Sequence, residues 1–303
     1  MALHPFIAAM LRQMRESGVP ALSAGTPEEG RATVARSRAF YGAGPGMRSD
    51  DLQIPGRSGP IRARLLQPEA PGALTVYLHG GGWVLGAIED FDTLARTLAA
   101  RSGGAVLLVD YRLSPEHPFP AGLEDAEDAL AWAAADRPAG DVPLIVAGDS
   151  AGANLATVAA RRLRDRVPLA AQILVYPVTD AAMDSPSYRE ESAGMPLTAA
   201  DMAWFVGHYG AADPLHPDVS PLRADDLSGL PPALVLTAEH DVLRDEGEAY
   251  AARLEQAGTP VTLRRYDGAT HGFIRLHNHF ETADRAVDDM ADAIRTCTAR
   301  KLA

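Results

Sequence analysis

Cysteine and lysine are almost absent from this 303-residue chain, and each scarcity excludes a class of chemistry. Cys297 is the only cysteine, so the chain cannot form an internal disulfide, a CxxC redox pair or a cysteine zinc site. Lys301 is the only lysine and lies in the C-terminal tail. A Ser–Lys dyad, a Schiff-base enzyme and a P-loop ATPase each need a well-placed lysine, so these classes are disfavoured.

Positive charge and long apolar runs are also scarce. The chain has 28 Lys and Arg against 40 Asp and Glu, a net charge of −12, which argues against partners such as nucleic acid or an anionic membrane. No apolar run approaches the roughly 18–20 residues of a membrane span. The N-terminus is typical of an amphipathic helix and not of a signal peptide, so we expect a cytoplasmic protein.

Apolar segments alternate with amphipathic ones along most of the chain. The central segments are almost wholly apolar, which is typical of parallel strands buried on both faces, whereas the first two flank PGRSG and predict an antiparallel pair at the edge. Eight strands are expected, at 51–54, 61–66, 74–79, 105–110, 144–148, 171–176, 233–238 and 261–266. The pattern predicts an α/β fold with a mostly parallel sheet and helices on both faces.

The helical segments suggest a catalytic domain with an added cap. Helices are predicted at 3–17, 27–41, 90–101, 122–136, 151–166, 198–209, 243–257 and 280–299. We assign residues 1–45 to an N-terminal cap and 46–303 to the catalytic domain. Residues 178–232 interrupt the alternation and are expected to contribute to the cap, where Met202 and Phe205 are candidate substrate contacts.

A G-x-S-x-G motif lies between a predicted strand and a predicted helix. Gly148 and Gly152 flank Ser150 in the sequence GDSAG, at the point where the strand must turn into the helix. The small neighbours let the turn close, and the helix N-terminus directs free N–H groups at the reacting centre. The spacing predicts that Ser150 is a nucleophile, and a chance occurrence of the motif is the alternative.

Three consecutive glycines follow the strand at 74–79. The sequence HGGGW at 79–83 predicts a loop whose backbone approaches a ligand closely, with Trp83 as a wall of the site. We expect the N–H groups of Gly81, Gly82 and Ala151 to bind an oxyanion. A phosphate-binding loop is the alternative, although neither GK[ST] nor GxGxxG accompanies it. His79 is expected to brace the loop.

The base and the acid are sought after the serine, in the chain order typical of this motif. Of nine histidines, His271 lies in the loop just past the last predicted strand and is the best candidate base. The acid is expected after the strand at 233–238, where Asp241 and Glu239 are both candidates.

A second polar motif, DYRLSPEHPFPA, occupies residues 110–121. Asp110, Glu116 and His117 could in principle bind a metal ion. The mixed signs of the charged side chains instead favour an ion-paired loop that supports the site, so no metal site is predicted.

Five motifs together resemble the bacterial hormone-sensitive-lipase-like esterases of the α/β-hydrolase fold. They are HGGGW at 79–83, DYRLSPEHPFPA at 110–121, GDSAGAN at 148–154, DVLRDEG at 241–247 and HGF at 271–273. The resemblance implies a triad of Ser150, Asp241 and His271 and thus favours Asp241 over Glu239.

The same resemblance implies an oxyanion hole at Gly81, Gly82 and Ala151, an N-terminal cap and no cofactor. The family usually has a further glycine where Ala153 stands here, and we expect little effect because the position already lies in the helix.

The predicted function is hydrolysis of short- to medium-chain acyl esters through an acyl-enzyme. The same triad would serve an amidase, a carbamate hydrolase or an acyltransferase, and some proteins of this fold are receptors that bind small molecules without turnover. The expected partner is a small-molecule ester, and assembly into a homodimer stays open.

Overall fold

The eight apolar segments form a single sheet in the computed structural model, which describes residues 2–18, 20–190 and 194–302. The strands are β1 (Arg48–Gly56), β2 (Gly59–Gln67), β3 (Leu74–Leu78), β4 (Ala105–Asp110), β5 (Leu144–Asp149), β6 (Ala171–Val175), β7 (Ala233–His240) and β8 (Val261–Thr270). Their order is β1-β2-β4-β3-β5-β6-β7-β8. Residues 191–193 of the predicted cap segment lie outside the described residues.

Strand direction follows the sequence pattern. The pairs β1–β2 and β2–β4 are antiparallel, and every other pair in the sheet is parallel. The predicted mostly parallel sheet and its antiparallel edge pair are therefore confirmed. Because β3 to β8 run in one direction, the loops that follow them meet at one edge of the sheet.

Ten α-helices accompany the sheet in the described part of the chain. They are α1 (Pro5–Glu16), α2 (Pro27–Arg36), α3 (Arg38–Tyr41), α4 (Ile88–Ser102), α5 (Ala121–Asp136), α6 (Ala151–Leu163), α7 (Pro186–Glu190), α8 (Ala199–Tyr209), α9 (Arg244–Gln256) and α10 (Glu281–Leu302). The single helix expected at 27–41 is wrong. It divides at Ser37, whose hydroxyl and N–H both bond to Val34 O and so end α2. The short helix α7 was not predicted.

Both faces of the sheet are covered, as a period-two strand pattern requires. In β4, Leu107 and Val109 join the apolar layer formed with α5, α6 and α9, whereas Val106 and Leu108 join the layer formed with α4 and α10. Helix α1 completes the second layer through Ile7, which is fully buried. None of the described helices has the length and apolar character needed to cross a membrane.

Residues 2–18 and 20–45, here called the N-terminal segment, touch several loops at the carboxyl edge of the sheet. The N–H of His4 donates to Gly268 O, near the end of strand β8, at 3.0 Å. The N–H of Ser23 donates to the carboxylate of Asp201 in α8 at 2.9 Å. The guanidinium of Arg31 donates to carbonyl oxygens in the loops that follow β3 and β4. This segment therefore contacts both the loops after the strands and the helix α8.

Candidate active site

Ser150 occupies a strained turn between β5 and α6. Its backbone has φ 55° and ψ −121°, a conformation that residues other than glycine rarely adopt. A Cβ on Gly148 would lie 2.5 Å from the backbone of Gly152, and a Cβ on Gly152 would lie 2.0 Å from Leu78 O in β3. Glycine is therefore required at both positions because the turn packs directly against its own helix and the neighbouring strand.

A continuous chain of hydrogen bonds connects Ser150, His271 and Asp241. His271 Nε2 lies 3.0 Å from Ser150 Oγ, and His271 Nδ1 lies 2.7 Å from Asp241 Oδ2. The second carboxylate oxygen of Asp241 accepts the N–H of Leu243 at 3.0 Å. Because an ionised carboxylate only accepts, Nδ1 carries the proton of the neutral ring, and Nε2 is left to accept the serine proton. The arrangement is that of a nucleophile, a base and an orienting acid.

The topology explains why residues far apart in sequence meet. Asp241 directly follows β7 and His271 directly follows β8, and these strands are parallel neighbours. The ring of Tyr176, at the end of β6, packs against the His271 imidazole with centroids 4.5 Å apart. The His271 imidazole is therefore held between a carboxylate on one side and an aromatic ring on the other.

Glu239, the rival acid, lies elsewhere. Its Oε2 accepts the N–H of Gly268 at 2.7 Å, within the strand that leads to His271. The N–H of Gly268 is thus bound by the Glu239 carboxylate, and the carbonyl oxygen of Gly268 is bound by the N–H of His4. The structure brings Asp241 to the imidazole, and Glu239 supports the backbone that precedes it.

Hydrogen bonds fix the orientation of two peptide groups in residues 79–86, here called the glycine loop. His79 Nδ1 donates to Gly80 O at 2.8 Å, and Gly81 O accepts from the N–H groups of Val84 and Leu85 at 3.1 and 2.8 Å. In a planar trans peptide the N–H points away from the preceding carbonyl. Holding these two carbonyl groups therefore sets the directions of the N–H groups of Gly81 and Gly82.

The glycines of this loop have no room for a side chain. Gly81 has φ 122° and a Cβ there would lie 2.2 Å from Leu85 O. Gly82 has φ 60° and a Cβ there would lie 2.1 Å from the ring of Phe205. The third expected donor, the N–H of Ala151, is the first of α6 and so lacks a partner within the helix.

Helix α8 brings the expected substrate contacts to the glycine loop. The ring of Phe205 lies directly over Gly82, and Met202 is buried in the same apolar layer. Trp83 is also buried and stacks on Tyr209 of α8, with ring centroids 4.2 Å apart and planes at 10°. The indole of Trp83 thus anchors α8 on the glycine loop, and Phe205 is the α8 ring that lies against the predicted oxyanion donors.

The loop at 110–121 is ion-paired. Glu116 forms a two-pronged pair with Arg31, with both N–O distances at 2.7 Å, and Asp110 pairs with Arg62 at 3.1 Å. Within residues 2–18, 20–190 and 194–302, no cluster of three or more potential ligands could hold a metal ion. The two carboxylates of the imagined metal site are instead bound by arginines from different segments.

Asp149 is a residue of the site that sequence reasoning missed. Its carboxylate is buried beneath the nucleophile turn and accepts from the hydroxyl of Tyr77 at 3.0 Å and the N–H of Gly80 at 2.9 Å. Burial raises the pKa of Asp149, and the hydrogen bonds from Tyr77 and Gly80 oppose this effect. A signal was present, because a charged residue ends an otherwise apolar strand.

Comparison with known proteins gives consistent matches over nearly the whole chain. A sequence profile of the α/β hydrolase fold matches residues 75–275. The carboxylic ester hydrolase LipN of Mycobacterium tuberculosis is 39% identical over 98% of this chain and 84% of LipN. The ethyl acetate hydrolase of Pseudomonas putida is 38% identical over 97% of this chain and 99% of that enzyme. A solved structure of a hyperthermophilic esterase from the archaeon Pyrobaculum calidifontis has a TM-score of 0.91 and 41% identity, covering 98% and 99% of the two chains.

Proposed function

The chain belongs to the hormone-sensitive-lipase-like carboxylesterases of the α/β hydrolase fold, and we propose that it hydrolyses short- to medium-chain carboxylic esters through an acyl-enzyme. The observation that carries this proposal is the continuous hydrogen-bond chain from Asp241 through His271 to Ser150. The activities for which two relatives are named, carboxylic ester hydrolysis and ethyl acetate hydrolysis, support the same reaction class.

Acylation begins at Ser150. As Oγ attacks the ester carbonyl carbon, His271 Nε2 takes the hydroxyl proton across the 3.0 Å contact. The carboxylate of Asp241 keeps the proton on Nδ1 and stabilises the imidazolium that forms. The same proton then passes from Nε2 to the leaving alkoxide, which departs as the alcohol and leaves Ser150 acylated.

The negative charge that develops on the carbonyl oxygen needs donors that are already in place. We assign this role to the N–H groups of Gly81, Gly82 and Ala151, at the glycine loop and the start of α6. One such donor typically contributes about 2.7–4 kcal/mol to lowering the barrier. Since the two glycine peptides are held by hydrogen bonds at their carbonyl groups, little reorganisation accompanies the reaction.

Deacylation repeats the cycle with water. His271 Nε2 takes a proton from a water molecule that attacks the acyl carbon, and it then returns the proton to Ser150 Oγ as the acid leaves. Each step needs only the triad and the backbone donors.

Helix α8 supports the short-chain preference. Phe205 lies over Gly82, beside the donors that would bind the carbonyl oxygen, and so occupies space that a long acyl chain would need. The ethyl acetate hydrolase among the relatives is named for an ester with a two-carbon acyl group. We propose that the enzyme accepts acyl chains of about two to eight carbons and that Phe205 and Met202 line the acyl pocket.

A panel of p-nitrophenyl esters of graded chain length tests the proposal, together with one matched anilide and one alcohol as acyl acceptor. We expect kcat/KM to be highest on the short esters, low on the anilide and little altered by the alcohol. An organophosphate should label Ser150 once per chain, and peptide mapping locates the label. Labelling elsewhere, or a faster reaction with the anilide than with its ester, would contradict the assignment.

A further inference from the structure

Asp149 connects the nucleophile turn to the glycine loop. Its Oδ1 accepts the Gly80 N–H at 2.9 Å and the Tyr77 hydroxyl at 3.0 Å, and its Oδ2 lies 3.5 Å from the Tyr176 hydroxyl. None of these donors is charged, and the residue is only 4% exposed. Burying a carboxylate is costly in free energy unless hydrogen bonds satisfy it, so these three donors help to keep it in place.

The bond from Gly80 has a particular consequence for the backbone. Gly80 is fixed at its N–H by Asp149 and at its carbonyl oxygen by His79 Nδ1. The carbonyl group of Gly80 and the N–H of Gly81 belong to one planar peptide unit. Fixing Gly80 at both ends therefore sets the position and the direction of the first proposed oxyanion donor.

The packing shows how close this connection is. A Cβ on Gly80 would lie 2.4 Å from Asp149 Oδ2, so the carboxylate fills the space beside the glycine. Asp149 and Ser150 are adjacent in sequence, so the turn that carries the nucleophile also carries the group that fixes Gly80. One side chain thus links the serine to the peptide that carries the first oxyanion donor.

We propose that Asp149 is a positioning residue for the oxyanion donors, acting through Gly80 to hold the N–H of Gly81 in register with Ser150. This inference rests on the proposed function, because it assumes that Ser150 is the nucleophile. A residue that only filled the core would change stability, whereas a positioning residue changes the stabilisation of the transition state.

The test compares Asp149→Asn and Asp149→Ala with the wild type. Asparagine keeps the shape and a neutral acceptor, and alanine removes the acceptor. We expect kcat on p-nitrophenyl acetate to fall by about 10-fold for asparagine, because a bond to a charged acceptor becomes a neutral one. For alanine we expect a loss on the order of 10²-fold, similar to the loss of one oxyanion donor. KM should stay within about threefold, since the donors act mainly in the transition state.

A trifluoromethyl ketone supplies the second measurement. It forms a tetrahedral adduct with the serine, so its inhibition constant should rise by the same factors as kcat falls. Tyr250→Phe is the matched control, because it also removes a buried hydrogen bond, the 2.7 Å bond between the Tyr250 hydroxyl and Thr157 of α6. This bond does not involve Gly80. We expect this variant to unfold at a lower temperature with kcat and the inhibition constant unchanged.

End-point labelling of Ser150 by an organophosphate separates the two proposals. Absence of labelling in the wild type would refute the assigned nucleophile. Full labelling of all variants, with Asp149→Asn showing wild-type kcat and ketone inhibition, would overturn the role of Asp149 alone. A drop in kcat that ketone inhibition does not follow would also overturn it. If Asp149→Ala does not fold, the isosteric asparagine variant decides the matter by the same two numbers.

Discussion

Different forces hold two regions of the molecule in place, namely the turn at Ser150 and the N-terminal segment. The turn is buried, and Gly148 and Gly152 pack against backbone atoms at distances that exclude any side chain. The N-terminal segment buries Ile7 of α1 but is also held by polar side chains, such as the pair of Arg31 and Glu116, whose side chains are 29% and 47% exposed. The turn is thus placed by packing, whereas the N-terminal segment is held partly by bonds that water and salt can weaken.

The difference predicts two patterns of sensitivity. A single methyl group should disrupt the turn, because close-packed backbone cannot move aside. The polar contacts of the N-terminal segment should instead respond to salt and acid. The following predictions test this contrast, beginning with the largest effect.

Ser150→Ala should abolish turnover while the protein stays folded. Loss of the nucleophile in another serine hydrolase lowers kcat by on the order of 10⁶-fold, and we expect a comparable loss here. The check is kcat on p-nitrophenyl acetate, with near-ultraviolet circular dichroism to show that the fold persists. Retained turnover in this variant would refute the triad assignment.

Asp241→Asn should lower kcat by on the order of 10⁴-fold with little change in KM, because the amide no longer favours the correct ring tautomer. Glu239→Gln is the control. Its side chain bonds to the Gly268 N–H and not to His271, so we expect a far smaller loss of rate and some loss of thermal stability. The opposite ranking of the two variants in steady-state kinetics would assign the acid to Glu239.

One substitution made in two places compares the closely packed turn with an open position on the neighbouring helix α8. Gly152→Ala should lower the free energy of unfolding by about 3 kcal/mol and impair activity, since the Cβ would lie 2.0 Å from Leu78 O. Gly207→Ala in α8 should raise it by about 0.5–1 kcal/mol, because no atom lies within 4 Å of that Cβ and alanine favours helix. Urea denaturation measures both. Equal effects would contradict the steric closure of the turn at Gly152.

Glu116→Gln should have the smallest effect. The hydrogen bond from Arg31 lowers the pKa of Glu116 to about 2, below its ordinary value of 4.5. The pair therefore stabilises the fold above pH 4.5, and this contribution is lost as the pH falls through about 2. Because Glu116 is largely exposed, the expected stabilisation is only about 0.2–1 kcal/mol.

The corresponding measurement is urea denaturation of wild type and Glu116→Gln at pH 7 and at pH 2.5, at low and high salt. Their difference in unfolding free energy should shrink at the lower pH and at high salt. Asp141→Asn, which alters an exposed pair with Arg137, serves as the control and should be near neutral throughout. A Glu116→Gln difference that is unchanged by acid and salt would show that packing holds the segment as well.

The sequence predicts the features that depend on neighbouring residues, namely the strands and the turn at Ser150. All eight strands are predicted, the parallel ones as continuous apolar runs and the first two as a pair around PGRSG. The strands β1, β7 and β8 extend several residues beyond their predicted bounds. The turn at Ser150 was expected because its glycine spacing reflects a backbone constraint within five residues.

What escaped prediction depends on contacts between distant segments. The order in which β4 lies between β2 and β3 follows from how the whole sheet assembles. The contact of Asp149 with Gly80 joins residues 69 positions apart, and that of Arg31 with Glu116 joins residues 85 apart. No periodicity in a single segment encodes such pairs, although a charged residue at the end of an apolar strand marks a position worth testing.

The sterically closed glycines also define how this scaffold could be redesigned. A mutant library that randomises positions 80, 81, 82, 148 and 152 would consist mostly of inactive clones, since a Cβ at each would lie within 2.5 Å of another atom. Screening effort for new acyl specificity is better directed to α8 and residues 22–24, which contact each other through the bond from Ser23 to Asp201. Selectivity can then be altered while the catalytic geometry is inherited unchanged.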